Sequence, residues 1–346
     1  MRSAQAAGRA RRRRWSSIAA AAPNDGGEIG MRLTRRQFVV TGLAAGTVVA
    51  GGVLVATGPT QPAYVWRGAA LGGEARVSLY GADQDAARAA LESVAREIER
   101  LEEIFSLYRP ASEISRLNRD GRIAKPSMDL ADVLRSAVGW RERTHGAFDP
   151  TVQPLWQDAA EGKPADPDHI ALAGSPIQIS GDVIALQPGA SVTLNGIAQG
   201  RIADRVTEIL AAHGFTDVVI DAGELRLPGT NRRAVGIPAA KTAVSVAGVA
   251  IATSEPKTLV FDTKTFRHHL IDPRTGESPR HWLSLSVFAP TAEMADALST
   301  AFAVLPHAAV ADLVASIDGV AVIGADAKDR IRRMGDLRFA GSEGAV

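Results

Sequence analysis

The chain has no cysteine among its 346 residues. That absence excludes disulfides, thiolate metal sites, cysteine nucleophiles and a lipidated cysteine of the lipoprotein kind. Charge of one sign is also lacking: 39 Lys and Arg against 38 Asp and Glu give a formal net charge of +1. The basic residues cluster near the N-terminus (Arg9, Arg11 to Arg14, Arg32, Arg35, Arg36), and the body carries no basic stripe suited to nucleic acid. No GxSxG, HExxH, Walker A or GxGxxG pattern occurs. The serine-hydrolase elbow, the zincin helix, the P-loop and the Rossmann fingerprint are therefore missing. No period of 20–50 residues recurs, which excludes solenoids and propellers. What is present is a globular composition, 46% hydrophobic, and length for one large domain or two ordinary ones.

Thr34-Arg35-Arg36-Gln37-Phe38-Val39-Val40 is a twin-arginine export pattern, followed by the mild apolar run Val39 to Ala56. Rich in Gly and Ala, the run is less apolar than a good membrane span of roughly 20 strongly hydrophobic residues. An uncleaved membrane anchor is the alternative. No clean A-x-A site occurs, and cleavage is expected between Ala56 and Ala63. Met31 gives a short, normal n-region and is the expected start; residues 1–30 are low-complexity. The expected organisation is an N-terminal extension with its signal segment, 1–63, and one folded domain, 64–346. The expected location is periplasmic or otherwise extracytoplasmic.

Along the body, alternation predicts an entry strand over 64–81. Asp83 caps a predicted helix over 84–106, with Ala87, Leu91, Val94, Ile98, Leu101 and Phe105 on its buried stripe and Glu97, Glu99, Glu102 and Glu103 mostly on solvated faces. A short helix starts at Ser112 to Ser115. Ser127 caps another over 128–144, closed by Gly146. The polar insert Gln157 to Asp168 reads as loop. Two short strands lie at 176–179 and 183–186. Then Ser191 to Gly200 reads as strand and Gly-containing turn, feeding a helix from Arg201 to Ala212. Val218 to Glu224 reads as a buried strand running into a second Gly turn, and strands follow at 234–237, 244–246, 249–252 and 283–289; Thr291 caps a helix from Ala292. The fold class is α+β, with mixed or largely antiparallel sheets and flanking helices.

The stretch from His268 to Thr300 holds the chemistry. Asp272-Pro273-Arg274-Thr275-Gly276 is turn chemistry. Asp296 and Thr300, four apart on a helix, share a face and offer hard oxygens suited to Mg²⁺. The plainer alternative makes Asp296 a solvated helix residue and Thr300 a packing residue. The turn around Gly196 to Gly200 offers N–H groups at a helix N-terminus, a place for an anion. His268 and His269 are neighbours, so at most one faces a site. Tyr108, read alone, is core or rim.

Seven segments in order, from Glu99 to Leu305, together resemble the ApbE family of FAD:protein FMN transferases. Glu103 to Tyr108 with Ser112 to Asn118 resembles its "E..FS.Y.p.SEIsrLN" block, and Gly146 to Val152 its "G.FDPTV". Leu194 to Gly200 resembles "DLGGIAKG", Ile220 to Glu224 "NIGGD", and Ile251 to Ser254 "aiATSG". His269 to Gly276 resembles "HIIDPRTG", and Ala295 to Ala301 "aDALaTAl". The resemblance implies an ApbE-like fold and FAD as substrate. It implies Mg²⁺ held by Asp296, Thr300 and the Ala198 carbonyl. It places Gly196, Ala198 and Gly200 against the phosphates, Asp272 and Thr275 beside the flavin or adenosine, and Tyr108 on a nucleotide ring. His269 corresponds to the suggested base, its ordinary pKa near 6.5 suiting that work. The implied reaction moves FMN to a threonine hydroxyl of a partner protein and releases AMP. The set is similar to an exported NosX-type branch, whose partner is the membrane protein NosR. Departures are Thr193, Asn195 and Gln199 where the family has Asp, Gly and Lys, Asp221 and Glu224 for Asn and Asp, and Glu255 for Gly. The loss of one Asp and one Lys removes two charges beside the phosphates. Two alternatives accompany this reading: a Mg²⁺-dependent FAD pyrophosphatase, and a non-catalytic flavin-binding or assembly protein.

Overall fold

The computed structural model describes residues 38–41, 47–50, 53–56, 63–81, 83–237, 240 and 242–337. Residues 34–37 of the twin-arginine pattern, Met31 and the interval 57–62 of the expected cleavage lie outside the described residues. The chain divides into two units, 1–37 and 38–346, and the second carries every described residue.

Strands β1 (Phe38–Thr41), β2 (Thr47–Ala50) and β3 (Val53–Ala56) precede the hairpin β4 (Ala63–Ala70) and β5 (Gly73–Tyr80). Helices α1 (Gln84–Phe105) and α2 (Glu113–Asp120) lead to β6 (Arg122–Ala124), α3 (Met128–Arg143), α4 (Gln153–Ala160) and α5 (Pro167–Leu172). Next come β7 (Gln178–Ser180), β8 (Val183–Ala185), α6 (Ala198–Ala212), β9 (Val218–Asp221), β10 (Leu225–Leu227), β11 (Arg233–Ile237), β12 (Thr242–Val246) and β13 (Val249–Ser254). The C-terminal part is β14 (Val260–Asp262), β15 (Arg267–His268), β16 (Trp282–Ala289), α7 (Ala292–Ala303), α8 (His307–Ser316), β17 (Ala321–Asp326) and β18 (Ile331–Gly335).

A nine-stranded sheet, in the order β1-β4-β5-β9-β10-β13-β16-β17-β18, forms the spine, with antiparallel neighbours throughout. Cross-strand partners share a face of a sheet. Val77, Ile220, Ala250, Val287 and Val322 on one face join the main core with the apolar stripes of α1, α6 and α7. Leu225, Ile251, Phe288 and Ala321 on the other face pack with Val235, Ile237 and Val246 of the smaller sheet β12-β11-β3-β2. The α+β class with flanking helices is the observed one. Within the expected signal segment, β1 pairs with β4 and β3 with β11.

The helix signals act as the sequence predicts. Asp83, Ser112, Ser127 and Thr291 each accept an N–H of the helix they begin. Three local expectations fail. The strand expected over 64–81 is a hairpin, because Leu71 (φ 52°) and Gly72 (φ 85°) make its two-residue turn. The polar insert begins as helix α4: Leu155 and Ala159, four apart, bury against Ile271, a pairing that the surrounding polarity hides. Residues 191–194 form no strand. Asn118 holds that segment instead, accepting the Val192 N–H and donating to the Val192 carbonyl, both at 2.7 Å.

Candidate active site

Helices α6 and α7 bring the centre together. The Gly200 N–H, in the first turn of α6, donates to Asp296 Oδ2 at 3.1 Å. In return Asp204 of α6 accepts the first N–H groups of α7, from Ala292 and Glu293, at 2.9 Å each. Each helix thus satisfies the open N-terminus of the other. The approach needs glycine: a Cβ at Gly200 would lie 2.2 Å from the Ala292 carbonyl oxygen. Gly196 is similarly pressed, with its absent Cβ 2.6 Å from Thr300 Oγ1. Ala198, the first residue of α6, is fully buried beside them.

The solvated alternative for Asp296 is overturned, since its side chain is 3% exposed. Burial raises its pKa to about 8, with Glu293 adding repulsion. Glu224, in the β9–β10 turn, is also driven well above the usual carboxylate range, by burial first and then by Asp296 and Asp221. Burial likewise raises Asp221, to about 6. Glu224 is the site residue that sequence reasoning registered only as a departure; its place at the end of the "NIGGD"-like block was the available signal. Gln199 fills the space over the same turn, where a Cβ on Gly223 would lie 2.3 Å from Gln199 Nε2, and donates to the Ala70 carbonyl at 3.4 Å.

No group of three or more His, Asp or Glu side chains suited to a metal is found among the described residues. The donor set here is of another kind: one buried carboxylate, a hydroxyl one helical turn away and a backbone carbonyl. Asp296 and Glu224 repel each other, and no basic side chain is among the charges acting on Asp296. A divalent cation on oxygen ligands supplies what this arrangement lacks, so the residues fit Mg²⁺.

His268 and His269 separate as neighbours should. His268 is fully buried, its Nε2 3.0 Å from the Pro279 carbonyl. His269 Nδ1 lies 3.1 Å from the Leu259 carbonyl, which also accepts the His269 backbone N–H. A carbonyl only accepts, so Nδ1 carries the proton and Nε2 keeps a lone pair. Burial lowers the His269 pKa to about 4, below the value expected from sequence.

Asp272, expected beside the flavin or adenosine, folds back on its own turn. Its oxygens take the Arg274 N–H, Nε and Nη2 at 3.0, 2.8 and 2.6 Å, and its carbonyl takes the Thr275 and Gly276 N–H groups. The residue builds its own turn. Thr275 is exposed and accepts the Glu277 N–H at 3.3 Å. Asp149 serves its turn in the same way, accepting from the Thr151 N–H and hydroxyl and pairing with Arg141. Tyr108 is 64% exposed, its ring lying over Gly72, where a Cβ would come within 2.7 Å.

The ApbE family profile matches residues 71–323, which span the site from Gly72 to Thr300. The chain belongs to the ApbE family. A Haemophilus influenzae relative named FAD:protein FMN transferase is 31% identical over 236 residues, 58% of this chain and 68% of that protein. A Treponema pallidum protein of the same name is 30% identical over 277 residues, 67% and 75% respectively. Among solved structures, the flavin transferase ApbE from Vibrio cholerae superposes with a TM-score of 0.66 at 24% identity, covering 82% of this chain and all of that one. The ApbE protein of Thermotoga maritima gives 0.71 at 23% identity, covering 81% of this chain and 100% of that one. These superpositions establish the ApbE fold.

Proposed function

We propose that this ApbE-family protein is an FAD:protein FMN transferase acting on a threonine hydroxyl of an exported or membrane-bound acceptor. The observation that carries the reading is the family match across residues 71–323, which includes Asp296, Thr300 and His269. In the proposed step, the threonine oxygen forms a bond to the FMN phosphorus while the bond from that phosphorus to the bridging oxygen breaks. AMP leaves with that oxygen. The threonine proton passes to Nε2 of His269, which the Leu259 carbonyl orients and burial keeps neutral. Mg²⁺ held by Asp296, Thr300 and the Ala198 carbonyl would neutralise charge on the diphosphate. In this reading Gly196 and the first turn of α6 lie on the phosphate side, with the Gly200 N–H held by Asp296, and Tyr108 offers an exposed ring for a nucleotide base to stack on.

The export reading rests on the twin-arginine pattern, and it makes the acceptor extracytoplasmic, with a NosR-like membrane protein as the partner class. No described helix is long and apolar enough to cross a membrane. The test mixes the protein with FAD, Mg²⁺ and a threonine-bearing acceptor domain, then reads flavin fluorescence in the acceptor band of a denaturing gel. A Mg²⁺-dependent fluorescent band is expected. Release of FMN and AMP without a band would favour the pyrophosphatase, and bound FAD without turnover the non-catalytic flavin-binding protein.

A further inference from the structure

The sequence pattern assigns Glu102 to a solvated face of α1, yet it is only 8% exposed. One carboxylate oxygen, Oε1, accepts the backbone N–H of Leu71 in the β4–β5 turn. The other, Oε2, lies 3.2 Å from Arg109 Nε, in the loop that carries Tyr108. Leu71 occupies the left-handed region, which a branched side chain with a Cβ disfavours and which asparagine or glycine ordinarily fills in such a turn. Next to it, Gly72 lies beneath the exposed Tyr108 ring. Backbone held in a disfavoured region beside a site persists only where its surroundings over-determine it.

We infer that Glu102 is a positioning residue for FAD: its carboxylate clamps the strained Leu71–Gly72 tip and the Tyr108 loop together, fixing the platform on which a planar ring of FAD stacks. Glu102 touches no substrate and acts through Leu71, Gly72 and Tyr108. Arg109 stays bidentate on Glu99, at 2.8 and 3.0 Å, so removing Glu102 releases the tip before the loop. The inference rests on the transferase reading and deepens it.

The test compares Glu102→Ala and Glu102→Gln in the full chain, each alone and with Leu71→Asn. Loss of a hydrogen bond to a charged group sets the scale: Glu102→Ala should raise KM for FAD about tenfold with kcat within about twofold. Glu102→Gln keeps a neutral acceptor for Leu71 and should stay within about threefold. In the Leu71→Asn background the turn forms by its own chemistry, so Glu102→Ala should cost less than about threefold. Amide exchange at residues 70–73 should quicken in Glu102→Ala and slow again with Leu71→Asn. Equal KM effects in both backgrounds, a fall in kcat at constant KM, or unchanged exchange at the tip would overturn the clamp. Should the parent protein neither bind nor turn over FAD, the transferase reading fails, and the exchange measurement alone decides the clamp.

Discussion

At Asp296 one oxygen holds the Gly200 N–H while burial and neighbouring carboxylates favour the protonated acid. Asp296→Asn keeps the acceptor and deletes the charge. It should lower Mg²⁺-dependent transfer by at least ~10²-fold, the scale of lost transition-state electrostatics, while leaving the metal-free melting temperature equal or higher. Turnover and Mg²⁺ dependence like the parent's would remove Asp296 from the site. His269 sets a separate signature. Its folded pKa near 4 leaves Nε2 neutral at higher pH. With Mg²⁺ saturating, so that Asp296 stays ionised, the acidic limb of kcat/KM should therefore lie near pH 4, not near 6.5. His269→Ala should lower kcat by about 10²–10⁴-fold, the usual range for a general base, with FAD affinity largely kept. Equal loss of binding, read by a flavin fluorescence titration, would recast it as a ligand contact.

Among the elements, the α6–α7 pair decides the geometry. A methyl on Gly200 meets backbone, at 2.2 Å from the Ala292 carbonyl oxygen, and backbone cannot swing aside as a side chain can. Gly200→Ala should cost about 2–3 kcal/mol in urea unfolding, as overpacking does, and should weaken Mg²⁺ binding, because the spacing that sets Asp296 against Gly200 widens. Gly139 in α3 is the control. A Cβ there meets nothing within 4 Å. Gly139→Ala should stabilise by roughly 0.5–1 kcal/mol through helix propensity. If both substitutions behave alike, the close approach is not what Gly200 provides.

For the whole molecule, pH couples the site to stability. Asp296 and Glu224 hold protons in the folded state that the unfolded chain releases near pH 4. Wherever the folded state binds more protons, stability falls as pH rises. His269 and His268, both lowered, contribute the opposite slope, confined to pH below about 6.5. Between pH 6.5 and 8 the carboxylates are left alone. Metal-free stability should fall there, by up to about 2 kcal/mol from Asp296 alone and further through Glu224, and saturating Mg²⁺ should flatten the slope by binding the ionised form. Thermal melts at several pH values with and without Mg²⁺ measure this. A rising metal-free profile over that range would contradict the buried-carboxylate assignment.

The sequence by itself determined the local features: the caps at Asp83, Ser127 and Thr291, the stripe of α1, the strand of β16, and the ordered segments that resemble the ApbE family. These rest on short-range periodicity and capping chemistry, which neighbouring residues specify. Only the tertiary structure joined Gly200 to Asp296, set Glu224 against that carboxylate, turned Asp272 inward on Arg274 and brought Glu102 to Leu71. Three of those pairs join distant stretches of chain. Their burial follows from the packing of helices on the nine-stranded sheet, so a carboxylate that reads as solvated in one dimension becomes a buried charge or a clamp in three.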